Sequence, residues 1–376
     1  MKILINAIPL LTLPTGVGKY IYYVSKSIKK FDIYNSYTYF YGYYSKNIKE
    51  IKNSPYKKTF QKIKDFIRVS PASYFFRKIK SHCALLKQIQ FDIYFEPNFI
   101  FIDSIKSKKR VVSVFDFSFD LYPEWHPKDR VLYFKENFWN SIKKADIIIM
   151  PSNFIYHEAI SKYEFDKSIL RVVYPGVDHD IFREYSSDLV KRVCEKYKLP
   201  ENFILFVGSI EPRKNLKNLI LAYNLLPESL KRDFSLVLTG FSGWKNSEIM
   251  GLLNKNNKVI YTGYVSEIEL ALIYNKASVF VFPSFYEGFG LPPLEAMACG
   301  CPVIVSDSAS LPEVCGDSAL YVNPKEPESI ANSIMKIIED TELRNQLVRK
   351  GIERAKNFRW ENTAKEILKI FEEVSD

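Results

Sequence analysis

The sequence has no run of 18 apolar residues, so no segment is built to cross a bilayer as a helix. Cysteine is sparse. Cys83, Cys194, Cys299, Cys301 and Cys315 form an odd set without C-x-x-C pairs, which excludes a disulfide scaffold and points to reduced thiols in a cytosolic chain. Cys299-Gly-Cys301 lacks companion ligands and adjoins the strand-like CPVIVSD, so small apolar filling is its expected role. With four histidines and no His or Asp cluster, the chain shows no metal-site pattern. It also lacks a complete dinucleotide fingerprint. TGVGKY (15–20) has no third glycine, and it fails the phosphate-loop pattern because neither Ser nor Thr follows Lys19. Gly16 and Gly18 are left as parts of a flexible turn whose backbone can approach a ligand. No nucleic-acid-binding module is recognisable, so nucleic acid is not an expected partner.

What is present is a globular composition, 47% hydrophobic and 26% charged, over 376 residues, long enough for two domains. The opening MKILINAIPLLTLPTG is interrupted by Asn6, Pro9 and Pro14 and reads as a first buried strand, not a signal peptide. Charge is uneven: residues 1–175 hold 29 Lys+Arg against 15 Asp+Glu, and the remainder holds 24 against 28. Basic residues crowd between Lys57 and Lys87, with Phe60, Ile63, Phe66 and Ile67 at helical spacing among them. A helix lying on an anionic membrane surface is one reading of that stretch, and a half-buried helix with a solvated basic face is the other. A cytoplasmic protein with peripheral contact to the inner face of the membrane follows from the first.

Short apolar strands alternate with helical stretches, the pattern of a parallel α/β sheet. KILINA, FDIYFEP, RVVSVFDFS, ADIIIMPS and RVVYPG read as strands of a first domain over residues 1–180, with an irregular insertion between Ser45 and Gln90. The rhythm restarts with FILFVGS, FSLVLTG, VIYTGYV, SVFVFPS and CPVIVSD in a second domain over 195–357. Two doubly wound, Rossmann-like domains facing across a cleft are the expected architecture.

Two segments carry chemistry. In PSFYEGFGLPPLEAMACGCPVIVSD (283–307) a strand ends, a loop carries Glu287, Gly288 and Gly290, and Pro292-Pro293 opens a helix. Free N–H groups at that helix start would face an anion. Glu295 is expected in the helix's first turn, where a carboxylate also suits the dipole. In FVGSIEPRKNLKNLI (206–220), Arg213 and Lys214 fall where a helix should begin, a position at which cations oppose the dipole. A bound diphosphate would remove that conflict.

Together with PEWHP, IIMPSNF, YPGVD, YTGYV, LPEVCGDSALYVNP and FRWENTAKEIL, these segments resemble glycosyltransferase family 4, the retaining GT-B enzymes, and within it the bacterial mannosyl- and rhamnosyltransferases. Glu287 and Glu295, separated by seven residues, are similar to that family's E-x7-E motif. The resemblance implies that Arg213 and Lys214 hold the diphosphate of a nucleotide sugar, GDP-mannose or dTDP-rhamnose, and that Glu287 contacts the transferred sugar. It also implies that Glu295 binds the ribose and that Gly208, Gly288, Phe289, Gly290 and Leu291 line the donor. Tyr264 and Val265 would flank the base, and Gly16 and Gly18 would line the cleft from the other side. A last helix, 358–376, would return to the first domain. No cofactor and no metal are implied; the acceptor would be a glycan or a lipid-linked sugar in surface polysaccharide synthesis. Where relatives often carry His-Asp, this chain has Phe115-Asp116, which leaves Asp116 as the acceptor-side candidate. A sugar-nucleotide epimerase or phosphorylase would share the architecture. A non-catalytic GT-B partner protein is the remaining alternative, with Phe115 as its hint.

Overall fold

The computed structural model describes residues 1–11, 16–50, 89–255 and 258–376. The basic stretch expected between Lys57 and Lys87 lies outside them. The chain forms two units, Met1–Gly176 with Trp360–Asp376, and Val177–Arg359. The boundary falls before residue 180 because Val177 and Phe182 already belong to the second core, as does Val193 from the expected linker.

In the first unit the strands are β1 (Lys2–Asn6), β2 (Ser36–Phe40), β3 (Tyr44–Ser45), β4 (Gln90–Glu96), β5 (Lys106–Ser113), β6 (Ile147–Met150) and β7 (Leu170–Val172). They line up as β3-β2-β1-β4-β5-β6-β7, parallel except for the β2–β3 pair. Ile3, Leu4 and Ile5 are fully or almost fully buried, a continuous apolar run of the kind that a parallel sheet covered on both faces requires. Gly16 and Gly18 are not in a free turn. They lie in the first turn of the helix Gly16–Phe31, whose buried face (Tyr20, Ile21, Val24, Ile28) sets the helical register through both glycines. The last helix, Trp360–Ser375, buries Trp360, Ala364, Ile367, Ile370 and Phe371 at helical spacing in this unit. Trp360 stacks on Tyr23 with ring centroids 5.4 Å apart, and Phe371 meets Phe95 edge-on.

The second unit contains β8 (Phe203–Val207), β9 (Ser235–Thr239), β10 (Val259–Gly263), β11 (Val279–Phe282), β12 (Val303–Ser306) and β13 (Leu320–Val322). They form an all-parallel sheet in the order β10-β9-β8-β11-β12-β13. Chain direction across the sheet reverses between β8 and β11, so the loops that follow these two strands leave the sheet side by side. In open α/β sheets this is where ligands bind. Gly240 lets the loops after β8 and β9 touch: at φ 144°, a Cβ there would stand 2.0 Å from the Gly208 carbonyl oxygen. Cys299, Cys301 and Cys315 are buried, and burial pushes the thiols of Cys301 and Cys315 above their usual range. Among the described residues no helix is long and apolar enough to cross a membrane.

Candidate functional site

At the carboxyl end of β8 the chain does not pass directly into a helix. Pro212–Lys214 make a single 3-10 turn, Asn215 takes a left-handed conformation (φ 59°), and the α-helix Leu216–Leu225 starts only afterwards. Arg213 and Lys214 therefore sit ahead of that helix, not in its first turn as expected. The kink is held from the side: Asn215 Nδ2 donates to the carbonyls of Pro283 (2.9 Å) and Pro324 (2.6 Å). The Phe285 N–H donates to the Arg213 carbonyl at 3.0 Å. The Pro283 and Phe285 bonds tie the loop after β8 to the loop after β11, and the Pro324 bond ties it to the segment after β13.

The tie brings three of the sequence candidates into contact. Arg213 Nη1 donates to Glu287 Oε2 at 2.8 Å and to the Tyr286 carbonyl at 3.1 Å. Lys214 Nζ donates to Glu287 Oε1 at 2.6 Å and lies 4.8 Å from the centre of the Phe282 ring. A fourth residue joins them, one that sequence reasoning missed: Glu211 Oε1 accepts from Arg213 Nη2 at 3.0 Å. Glu211, Lys214 and Glu287 are all buried. Burial lowers Lys214 below the ordinary lysine range against the opposing pull of Glu287. Burial would raise Glu287, but Arg213 and Lys214 outweigh it and hold the carboxyl below its ordinary range. The quartet is formally neutral, two cations against two carboxylates.

Gly288, Phe289 and Gly290 continue the loop into the helix Leu291–Ala298, with prolines at its start. Gly290 precedes it at φ 128°, a conformation side chains resist, and a Cβ there would meet Leu311 Cδ2 at 2.8 Å. Ser310, another residue missed, clasps the loop through Oγ bonds to the carbonyls of Glu287 (2.9 Å) and Phe289 (2.6 Å). Glu295 is buried in this helix's second turn, not its first, and with burial its charge raises the Tyr274 phenol. Tyr264 stacks on Phe241 at 4.6 Å, whereas the Val265 side chain is buried in the core, so only its backbone can face a ligand.

In the first unit, Asp116 Oδ1 accepts from the Ser118 N–H (2.9 Å) and hydroxyl (2.7 Å). The same hydroxyl lies 3.0 Å from Nε2 of the buried His126. Phe115 packs edge-on against Tyr20 at 5.0 Å and Phe99 at 5.7 Å, as part of an aromatic cluster. The sequence offered no signal for the Asp116–Ser118–His126 chain, since its members lie up to ten residues apart in an irregular segment.

Residues 192–354 match the family described as "Glycosyl transferases group 1". O-antigen chain mannosyltransferase B of Escherichia coli is 34% identical over 283 residues, covering 74% of this chain and 74% of that protein. The serotype-specific mannosyltransferase WbdA of Escherichia coli is 33% identical over 240 residues, 61% of this chain and 29% of WbdA, so the chain spans under a third of that longer relative. Among solved structures, sucrose-phosphate synthase from Thermosynechococcus elongatus superposes with a TM-score of 0.73 at 19% identity, covering 99% of this chain and 98% of its own. That likeness concerns the fold, the pair of Rossmann-like units known as GT-B. Sequence identity on this scale across three quarters of the chain settles the family: the chain belongs to the group 1 glycosyltransferases and is a hexosyltransferase.

Proposed function

We propose that the chain is a retaining, metal-independent transferase that moves mannose from a nucleoside diphosphate sugar, GDP-mannose first, to a glycan or lipid-linked acceptor in surface polysaccharide synthesis. The observation that carries this reading is the buried contact of Arg213 and Lys214 with Glu287 at the strand-order reversal of the second sheet. The mannosyltransferase names of the relatives support the choice of sugar, and dTDP-rhamnose is the alternative donor.

Breaking a glycosyl–phosphate bond builds negative charge on the leaving phosphate. Fixed cations in a water-poor site stabilise that charge without reorganising. Arg213 and Lys214 are such cations. A diphosphate competes with Glu287 for them, and the released carboxylate then faces the sugar, where positive charge develops in the oxocarbenium-like state. The loop N–H groups from Gly288 to Leu291 bind phosphate or sugar, Glu295 the ribose, Tyr264 and the Val265 backbone the base, and Asp116 the acceptor. Gly16 and Gly18 are kept as donor-binding candidates.

The test is a thermal-shift screen against GDP, UDP and dTDP and their sugars, followed by transfer assays with and without EDTA. A ligand at about 100 times its Kd stabilises by about 2.7 kcal/mol, an easily read shift. GDP and GDP-mannose should raise the melting temperature, and turnover should survive the chelator. Release of an isomerised sugar nucleotide or a sugar phosphate without acceptor would favour an epimerase or phosphorylase instead. Donor binding without transfer to any acceptor would favour a non-catalytic role.

A further inference from the structure

The two carboxylates of the quartet are shared differently: Glu287 accepts from both cations, and Glu211 from Arg213. The Glu287 backbone is clasped by Ser310, and its side-chain bonds to Arg213 and Lys214 are the ones a diphosphate must take over. Glu211 is anchored on both sides. The N–H of Ile210 donates to the Phe241 carbonyl at 2.9 Å, and the Glu211 carbonyl accepts from the Lys214 N–H at 3.1 Å. Gly243 closes over the same backbone, where a Cβ would sit 2.5 Å from the Ile210 carbonyl oxygen. With 2% of its surface exposed, Glu211 has little room to follow a ligand.

We propose that Glu211 is a positioning residue that keeps the Arg213 guanidinium aimed at the sugar donor's diphosphate after Glu287 has let go. The planar fork of an arginine fixes both ends at once. By committing Nη2 to itself at 3.0 Å, Glu211 determines that Nη1, now on Glu287 and the Tyr286 carbonyl, is the edge offered to phosphate. An arginine relieved of Glu287 and lacking this second anchor would lose the constraint on Nη2 and could swing about its Tyr286 carbonyl bond, and the charge would no longer track the leaving oxygen. This inference rests on the donor-site reading above.

The experiment is steady-state kinetics of Glu211→Ala and Glu211→Gln beside wild type, with GDP-mannose, UDP-glucose and dTDP-rhamnose as donors and melting temperatures recorded for each protein. A misplaced catalytic charge costs on the order of 100-fold in rate, so Glu211→Ala should lose about 10- to 100-fold in kcat while the donor KM moves by less than about threefold. Glu211→Gln still offers an acceptor oxygen to Nη2 and should recover to within about threefold of wild type. An alanine variant with wild-type kcat overturns the proposal, as do alanine and glutamine variants that lose activity equally and only in step with their melting temperatures. If wild type neither turns over nor is stabilised by any of the three nucleotides, the donor-site reading itself falls, and this inference with it.

Discussion

Replacing Lys214 by methionine removes one charge and keeps an apolar stem against Phe282. At an effective dielectric of about 20, unit charges 2.6 Å apart attract by about 6 kcal/mol, but taking both ions out of water cancels most of this. Glu287 also keeps Arg213 at 2.8 Å, so it is not left as a bare buried charge. The net loss of stability should be about 1–3 kcal/mol, or about 2–10 °C in melting temperature for a unit of this size. The activity loss should be larger. Removing one group that stabilises developing charge costs about 100- to 1,000-fold in kcat, some 3–4 kcal/mol of transition-state energy. Lys214→Met should therefore remain folded at 25 °C and transfer sugar at least about 100-fold more slowly. The assay is donor turnover at saturating donor, with the melting curve as control. A variant within threefold of wild type would refute the assignment of this cation to the leaving phosphate.

Three further perturbations follow from the geometry. The Glu287 carboxyl titrates below its usual 4.5 in the folded chain, so it stabilises the fold above that pH and the contribution disappears as acid protonates it. The melting gap between wild type and Glu287→Gln should be wide near neutral pH and narrow as the pH falls below 4.5; a gap independent of pH would contradict the ion-pair account. Glu96 is fully buried between Asn6 and Tyr94, and desolvation pushes its carboxyl up to about 8. Its raised value means that wild type loses stability as pH climbs from about 4.5 through 8, whereas neutral Glu96→Gln does not. Their melting temperatures should agree near pH 5 and separate in favour of the variant near pH 9, and parallel curves would show that Glu96 is already charged. Gly290→Ala should cost about 1–3 kcal/mol through its positive φ and the Leu311 contact, measured by denaturant unfolding; an unchanged midpoint would mean the loop relaxes freely.

The sequence made the sheets legible because buried parallel strands are written as unbroken apolar runs such as FILFV and VFVF, and the punctuating glycines and prolines mark where they end. The site was legible to the extent that its members sit at strand ends. The Arg213-Lys214 pair and Glu287 stand out in two separate segments, and the strand order β8-β11 then places them in contact although more than seventy residues separate the pair from Glu287. Glu211 was not legible, because an acidic residue two positions from an arginine reads as an ordinary solvated charge until its burial is known. The 3-10 turn at Pro212 was hidden for a similar reason. Its stop comes from the left-handed Asn215, held by carbonyls of two distant prolines. Gly16 and Gly18 misled in the opposite direction: glycine permits a turn, but the apolar stripe of the helix that follows begins soon enough to draw both into it.

On the proposed reading, in which Asp116 meets the acceptor, Phe115 bears on how the acceptor loses its proton. A phenylalanine ring accepts no proton, and at this position it is half-buried and packed edge-on against Tyr20 and Phe99. The neighbouring Asp116 is engaged with Ser118, whose hydroxyl is shared with His126. In a front-face, retaining transfer the base is the departing phosphate itself, so no imidazole is required at this place. Turnover between pH 6 and 8 should then lack a limb near 6.5, the ordinary histidine value. The product sugar should keep the anomeric configuration of the donor, read by NMR. A limb near that pH that vanishes in His126→Gln would return the proton to a histidine, and an inverted anomeric centre would remove the phosphate from the role of base.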